Sequence, residues 1–546
     1  MYIYYVGEDV GLHVTRKHAQ NELGFKLQQK YFVKTSLKMA YYFLSGSIVS
    51  TVLLGIFVYL LFIVIRYYVK YERMRRFYDG LPGYAPEQKH WLRGHLHMYT
   101  DNDGIRIDQI HSLMKQFPKY FCVWFGPLNP VVSLVHPDTI KVLLKTAEPK
   151  PVALGGGYRN LIPWLGEGLL VTGGSKWARS RRLLTPAFHF EILKPYQEIY
   201  NQCVDLALGI IDKYADSGEC FELFQVISNC SLDIILQCAF SYHTDCQKDR
   251  EQHPYCKAVT EVANLITKRT RNPLQAFDFI YYSTADGKEF RKKCDFIHEV
   301  ANKVIDSRKK ALESGQEETK KYLDFLDILL SAQDENGVGM TKTDIRAEVD
   351  TFMFEGHDTT TSAMSWILYE LAKNQHFQKA CQDEIDKVME NNKGYVTWDN
   401  LSKFEFLNQC IKEGMRLHSA VPLVSRKSTR EFTVDGTTFP ARTNFQLNIY
   451  GVHHNPDIWE NPLTFDPDRF SKDNDTKMDS FAFIPFAAGP RNCIGQHFAM
   501  NEEKTIISRI LERFTLELDP QHVVTEQFAL VLRAKNGIKC FAKRRQ

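Results

Sequence analysis

From Met39 to Ile65 the chain carries no Asp, Glu, Lys, Arg or His, and its second half, Val52 to Ile65, is apolar almost without interruption. A helix needs roughly 20 such residues to cross a bilayer. A secretory leader has an apolar core of only about 7 to 15 residues followed by a small-residue cleavage site, and no such site follows here. The pattern therefore predicts one retained transmembrane helix over 39–65. Further on, apolar residues recur at helical spacing from about Ile192 to His418. β-Branched runs bounded by turn residues, such as Phe432 to Phe439, are short and few. No internal repeat is present. The expected class is α+β: one large, mainly α domain with small β-sheets.

Four segments follow from that pattern. Residues 1–38 form an N-terminal extension, 39–65 the span, 66–100 a basic linker and 101–546 the catalytic domain. The linker contains Leu81-Pro82-Gly83-Tyr84-Ala85-Pro86, which reads as a stiff turn that aims the body relative to the membrane. Arg308 to Tyr322 is polar and charge-dense, as in a mobile surface segment between helices. Lys26, Lys30, Lys34 and Lys38 precede the span, and Arg66, Lys70, Arg73, Arg75 and Arg76 follow it. The positive-inside rule places the C-terminal body in the cytosol on this small imbalance. Met39 opens the apolar run and reads as an alternative start of translation.

Composition narrows the function classes. With 546 residues, 44% hydrophobic and 24% charged, the chain can bury a large core, and a net charge of +3 gives no nucleic-acid signature. Its 12 cysteines include no C-x-x-C pair, which argues against zinc ribbons and a disulfide framework and for a reducing compartment.

One cysteine stands apart. Phe486-Ala487-Ala488-Gly489-Pro490-Arg491-Asn492-Cys493-Ile494-Gly495 has the form F-x-x-G-x-R-x-C-x-G. The glycines allow a tight loop that leaves backbone N–H groups free to point at the sulfur. Arg491 offers a fixed charge for a nearby carboxylate. A thiolate held in this way is an axial ligand for haem iron. A buried free cysteine is the plainer reading of any single Cys, yet five fixed residues recur by chance with a probability on the order of 10⁻⁴ in a chain this long.

Within a helical pattern from about Glu348 to Lys373, Glu355-Gly356-His357-Asp358-Thr359-Thr360-Thr361 groups poor helix formers. Such a sequence needs a deformed helix. Thr359 can bond back to the Glu355 carbonyl and leave room for a small ligand, with Asp358 as a proton relay. Taken alone, a tight helix crossing at Gly356 with a solvated Asp is the plainer reading. Glu413 and Arg416, an i,i+3 pair, with Arg469 of Pro467-Asp468-Arg469-Phe470, would need one another if buried and would lock the region carrying the Cys loop. Trp177 and Arg181 lie one helical turn apart and can face one partner. A haem propionate would suit them, with Arg426 and Arg491 as further candidates.

Taken in order, Trp-x-x-x-Arg, Gly-x-Asp-Thr-Thr, Glu-x-x-Arg, Pro-Asp-Arg-Phe and the Cys loop resemble cytochrome P450 enzymes over roughly residues 80–546. The stretch Glu348 to Thr360 resembles the family 4 signature. Trp164 to Leu169 and Leu184 to Phe190 resemble its F subfamily, whose members hydroxylate fatty acids and eicosanoids at the omega carbon. The resemblance implies a P450 fold behind one membrane anchor, in the endoplasmic reticulum, single-pass with the catalytic domain in the cytosol. It implies haem b (iron protoporphyrin IX) with Cys493 as the iron ligand. Arg491, Trp177, Arg181 and Arg426 would hold the propionates, and Phe486 would pack near the sulfur. Asp358 and Thr359 would deliver protons to the dioxygen being reduced, while Glu413, Arg416 and Arg469 would be structural. Glu355 matches a glutamate that in many family 4 members is esterified to a haem methyl. Electrons would come from NADPH through cytochrome P450 reductase, with cytochrome b5 as a second candidate donor.

A peroxide-dependent isomerase or synthase, and a haem sensor or membrane-anchored binding protein without turnover, use the same thiolate. The Asp358–Thr359 pair favours the monooxygenase. By the same likeness, Val421 to Val424 and Phe528 to Val531 border an apolar substrate pocket. Two features depart from the family pattern: the proline-rich hinge is reduced to Pro82-Gly83 and Pro86, and 38 residues precede the span.

Overall fold

The computed structural model describes residues 9–101, 104–248, 251–314, 323–475 and 478–545. The chain divides into two compact units, residues 1–80 and 81–546. The first is a single helix, Asp9–Asp79, which runs without a break through the apolar 39–65 segment. Its Gln29–Asp79 portion is long and apolar enough to cross a membrane, with a mean hydropathy of 2.9 in its most apolar window and exposed side chains throughout that window. The expected linker at 66–100 is thus divided. Residues 66–79 continue the helix, where Glu72 pairs with Arg75 at 2.6 Å and Arg76 at 3.1 Å.

The globular unit begins at Leu81, some twenty residues earlier than the pattern predicts. The cause is a close backbone contact rather than a hydrophobic run. Cys122 N–H donates to the Pro82 carbonyl (2.7 Å), and Gly83 (φ 152°) lies so near that a Cβ there would sit 2.3 Å from the Cys122 oxygen. Pro82-Gly83 is therefore part of the fold rather than a hinge. Tyr99, inside the expected linker, is fully buried.

The core is built around the helix Lys342–Lys373, which is buried on nearly every side. Leu223–Phe240 packs against it and is itself 89% buried, so it is a core helix although its length and hydropathy would permit a span. Their closest approach is Gly356, where a Cβ would meet Ile235 Cγ1 at 2.6 Å. A four-stranded sheet flanks this core, in the order Tyr120–Trp124, Pro130–Leu134, Asn444–Asn448, Leu423–Lys427. The middle pair is parallel (Val132 opposite Phe445) and the outer pairs are antiparallel. Phe432 to Phe439 forms a hairpin turning at Asp435-Gly436, both at positive φ, as a two-residue hairpin loop requires.

The first residue of the Arg308 to Tyr322 stretch differs from its reading as part of a mobile surface segment. Arg308 lies within the helix Ala285–Ser314 and is buried in a pair with Asp327 at 2.7 Å. Residues 315–322 lie outside the described residues.

The helix Glu405–Leu417 carries the expected lock. Glu413 and Arg416 are both fully buried and paired at 2.7 Å, and Arg469 reaches Glu413 at 3.4 Å. Arg416 also donates to the carbonyls of His453, Pro462 and Thr464. It thereby pins the irregular segment that leads towards the Cys loop.

At the end of that helix His418 bridges Glu526 (2.5 Å) and Glu370 (3.1 Å) while stacking on Trp366 at 4.3 Å. Burial alone would push its pKa down, but Glu370 and Glu526 outweigh it and raise it to about 9. A proton bound more tightly in the folded state contributes stability in full below the unfolded value of about 6.5, and that contribution fades as pH rises through about 9. Denaturation titrations from pH 6.5 to 9.5 should therefore show a loss of about 3 kcal/mol from this group. His418→Gln should flatten that slope; an unchanged slope would refute the assignment.

Candidate functional site

The Cys493 loop is held from three directions. Cys493 N–H donates to the Phe486 carbonyl (2.9 Å), closing the turn. Gly489 (φ 74°) approaches the end of the helix Pro137–Leu144 so closely that a Cβ would sit 1.8 Å from the Leu144 oxygen. Here glycine is required for both conformation and space. Gly495 differs: its φ of −91° suits any residue, and its N–H acts to lower the Cys493 pKa. Arg181 clamps the loop from the helix Gly174–Leu184, donating to Asn492 O and Oδ1 at 2.8 Å each.

Cys493 is exposed because it faces a cavity of about 220 Å³. Trp177, Arg181, Glu355, Thr359, Phe486 and Arg491 line the same cavity, as do Ala420, Val421 and Val424. Six of the sequence candidates thus converge around the sulfur. Surrounding protein pushes the Cys493 thiol up to about 12, first by burial and then through Glu355, while the Gly495 N–H and Arg181 oppose this.

The central helix runs unbroken from Lys342 to Lys373 through its poor helix formers, and the expected back-bond is present. Thr359 Oγ1 donates to the Glu355 carbonyl at 2.7 Å. Back-bonding of this kind, with Gly356 drawn against Ile235, leaves Glu355 and Thr359 open to the cavity. Burial raises the Glu355 carboxyl to about 7, offset in part by Lys150.

Asp358 differs from expectation. It is buried, is not among the cavity-lining residues, and is ion-paired with Arg533 of the strand Leu532–Ala534. Arg533 follows Asp358 by 175 positions, a separation at which no local pattern signals a pair. The solvated Asp of the plainer reading is also absent, whereas its tight crossing at Gly356 is present.

Arg491 forms no ion pair with a carboxylate among the described residues. It stacks on Trp177 (4.7 Å) and donates to the carbonyls of Thr172 (2.5 Å) and Glu148 (3.4 Å). Arg426 is buried and outside the lining, with its Nε lacking a hydrogen-bond partner. A further cation escaped the sequence reading. Lys150, between two prolines in a stretch with no periodicity, lines the cavity and donates to Tyr158 Oη at 2.9 Å. Burial, Arg426 and Arg491 all drive its pKa well below the usual lysine range. Burial and Arg426 likewise bring Arg491 down to about 10.

Lys150, Arg181, Arg426 and Arg491 thus form a cationic group with Glu355 as the acid acting on it from the cavity. Buried charges of one sign require counter-charges. A flat macrocycle bearing two carboxylates beside an iron-binding thiolate supplies them, and the residues present fit haem.

Comparison with known proteins agrees. The cytochrome P450 family model matches residues 85–541.

The chain belongs to the cytochrome P450 family.

Its relatives sharpen the placement. The human ultra-long-chain fatty acid omega-hydroxylase is 41% identical, covering 86% of this chain and 89% of the relative. The mouse leukotriene-B4 omega-hydroxylase 3 is 39% identical (87% and 91%), and rat cytochrome P450 4A2 is 39% identical (90% and 95%). As a P450 the chain is a haem-thiolate monooxygenase. Of the two segments expected to border substrate, Val421 and Val424 of the first line the cavity, joined by the neighbouring Ala420, whereas Phe528 to Val531 do not.

Proposed function

We propose that this P450 hydroxylates long-chain fatty acids or eicosanoid-like lipids at the omega carbon. The observation that carries the reading is Glu355, which faces the same cavity as Cys493 in a chain about 40% identical to omega-hydroxylases of such lipids.

Haem supplies the two-electron activation of dioxygen that places one oxygen atom in a C–H bond and releases the other as water. The chain's residues prepare the site for it. Cys493 provides the thiolate, which the Gly495 N–H and Arg181 favour electrostatically. The cation group neutralises the propionates. Thr359 keeps a hydroxyl at the cavity wall, from which a proton can be passed inward. Asp358 stands one residue behind it, paired with Arg533 and away from the cavity, so its part is to hold the helix beside Thr359 rather than to face the substrate. Ala420, Val421 and Val424 give the substrate an apolar wall.

Glu355 is further proposed to form an ester with a haem methyl. A tether of this kind fixes the macrocycle, which favours attack on the terminal methyl over the weaker neighbouring C–H bond. Acid extraction followed by mass spectrometry should leave haem on the protein and release it freely from Glu355→Ala. Free, quantitative release from the unmodified chain would end the ester proposal.

Electrons are proposed to reach the site from NADPH through cytochrome P450 reductase, with cytochrome b5 as a second donor, and the apolar helix to hold the enzyme at the endoplasmic reticulum with its catalytic unit in the cytosol. Incubation with reductase, NADPH and fatty acids of graded length should yield omega-hydroxylated products. NADPH consumption with no hydroxylated lipid would overturn the assignment.

A further inference from the structure

An omega-hydroxylase of fatty acids must hold the substrate carboxylate a full chain length from the sulfur, and no residue of the Cys493 site performs that task. The structure carries a second cationic centre suited to it. Arg159 lies on the short turn Gly157–Leu161, Arg269 in the last turn of the helix Pro254–Thr270, and both bond one carboxylate, Asp278. Arg159 reaches Asp278 Oδ2 at 2.7 Å, and Arg269 reaches Oδ1 at 2.5 Å.

Two guanidinium groups thus share one carboxylate, leaving a positive excess. Arg269 is only 2% exposed, and is fixed by the Gln275 carbonyl (3.0 Å) and by Tyr281, whose ring lies 4.2 Å beneath it. Asp278 is 45% exposed and Arg159 36%, so the carboxylate is displaceable while the buried arginine is not. Arg159 Nε is buried without a hydrogen-bond partner. Burial acts to raise the Asp278 carboxyl, but Arg269 and Arg159 outweigh it and hold it below the usual range. Beside this centre Leu274, Phe277 and Phe279 are exposed apolar side chains. A cationic fork next to exposed apolar surface matches a fatty acyl chain with its terminal carboxylate.

The centre also stands next to the cavity wall. The residue before Arg159 is Tyr158, whose hydroxyl accepts from the cavity-lining Lys150. Five residues after Arg159, Trp164 packs against Phe354 at 4.5 Å, next to Glu355. The turn carrying Arg159 therefore packs directly behind the cavity-lining Lys150.

We infer that Arg159 and Arg269 form the anchor for the substrate carboxylate, with Asp278 occupying it until a fatty acid takes its place. The assignment rests on the fatty-acid reading above and adds the residues that select for an acid.

Binding of a long-chain fatty acid and of its methyl ester to the full-length, haem-loaded enzyme, followed by the Soret shift, tests it without turnover. Failure of terminal hydroxylation would thus overturn the proposed function while leaving this result interpretable. Arg159→Met should weaken binding of the acid about tenfold and leave the ester within about twofold. Asp278→Asn should act in the opposite direction and tighten the acid, because it removes the internal competitor. A latch that merely joined two surface segments would respond to both variants in the same direction. Equal loss for acid and ester, or weaker acid binding in Asp278→Asn, would overturn the anchor.

Discussion

Arg416→Ala is expected to cost about 3–5 kcal/mol of folding stability, because it leaves Glu413 as a buried carboxylate without its main counter-charge. Both side chains are fully buried, and burial already raises the Glu413 carboxyl against the opposing pull of Arg416. The substitution also removes the donor to three carbonyls, those of His453, Pro462 and Thr464. An unfilled buried acceptor adds to the penalty. The segment concerned precedes the Cys loop, so haem retention should fall together with the denaturation midpoint. Arg469→Ala is the internal comparison. Its guanidinium lies 3.4 Å from Glu413 and does not form the close pair, so its loss should cost much less. Replacing Glu413 and Arg416 together by apolar residues of similar volume should recover part of the loss, since no charge is then stranded. An Arg416→Ala enzyme within about 1 kcal/mol of the parent would refute this account of the lock.

Cys493→Ser is expected to abolish hydroxylation while leaving the apoprotein's stability nearly unchanged. The loop does not depend on the sulfur: it is closed by the Cys493 N–H, by Arg181 on Asn492 and by the contact of Gly489 with Leu144. A serine hydroxyl in that enclosed position stays protonated and offers iron a neutral, weakly donating oxygen. A metal cation, by contrast, readily deprotonates a thiol. The checks are the carbon monoxide difference spectrum of the reduced protein, which should lose its thiolate-type Soret band, and thermal unfolding of the apoprotein. Retention of that band would refute Cys493 as the ligand.

The parts of the site that could be read from sequence are those fixed over a few residues. The Cys loop, the bond from Thr359 to the Glu355 carbonyl and the Glu413–Arg416 pair are all recognisable over separations of nine or fewer. The span was visible as an uncharged run, but its helix extends beyond that run at both ends because polar residues are no barrier to helix continuation. What could not be read depends on distant partners or on backbone acceptors. Asp358 is turned to Arg533 by a strand 175 residues away. Arg491 is satisfied by carbonyl oxygens, which every residue has and no pattern marks. Lys150 is placed by the fold alone, and the true start of the globular unit by a backbone contact at Pro82 and Gly83.

The anchoring of the Cys loop also sets a clock. Its partners Arg181, Thr172 and Glu148 precede it by 311 to 343 residues. At about 5–20 residues per second, synthesis of the intervening chain takes on the order of tens of seconds. Through that interval Lys150 and Arg181 exist without the sulfur and without Arg491 beside it, and haem cannot be captured as the polypeptide emerges. Loading of the cofactor is therefore a late event in the life of the chain, open to competition from degradation whenever haem is scarce.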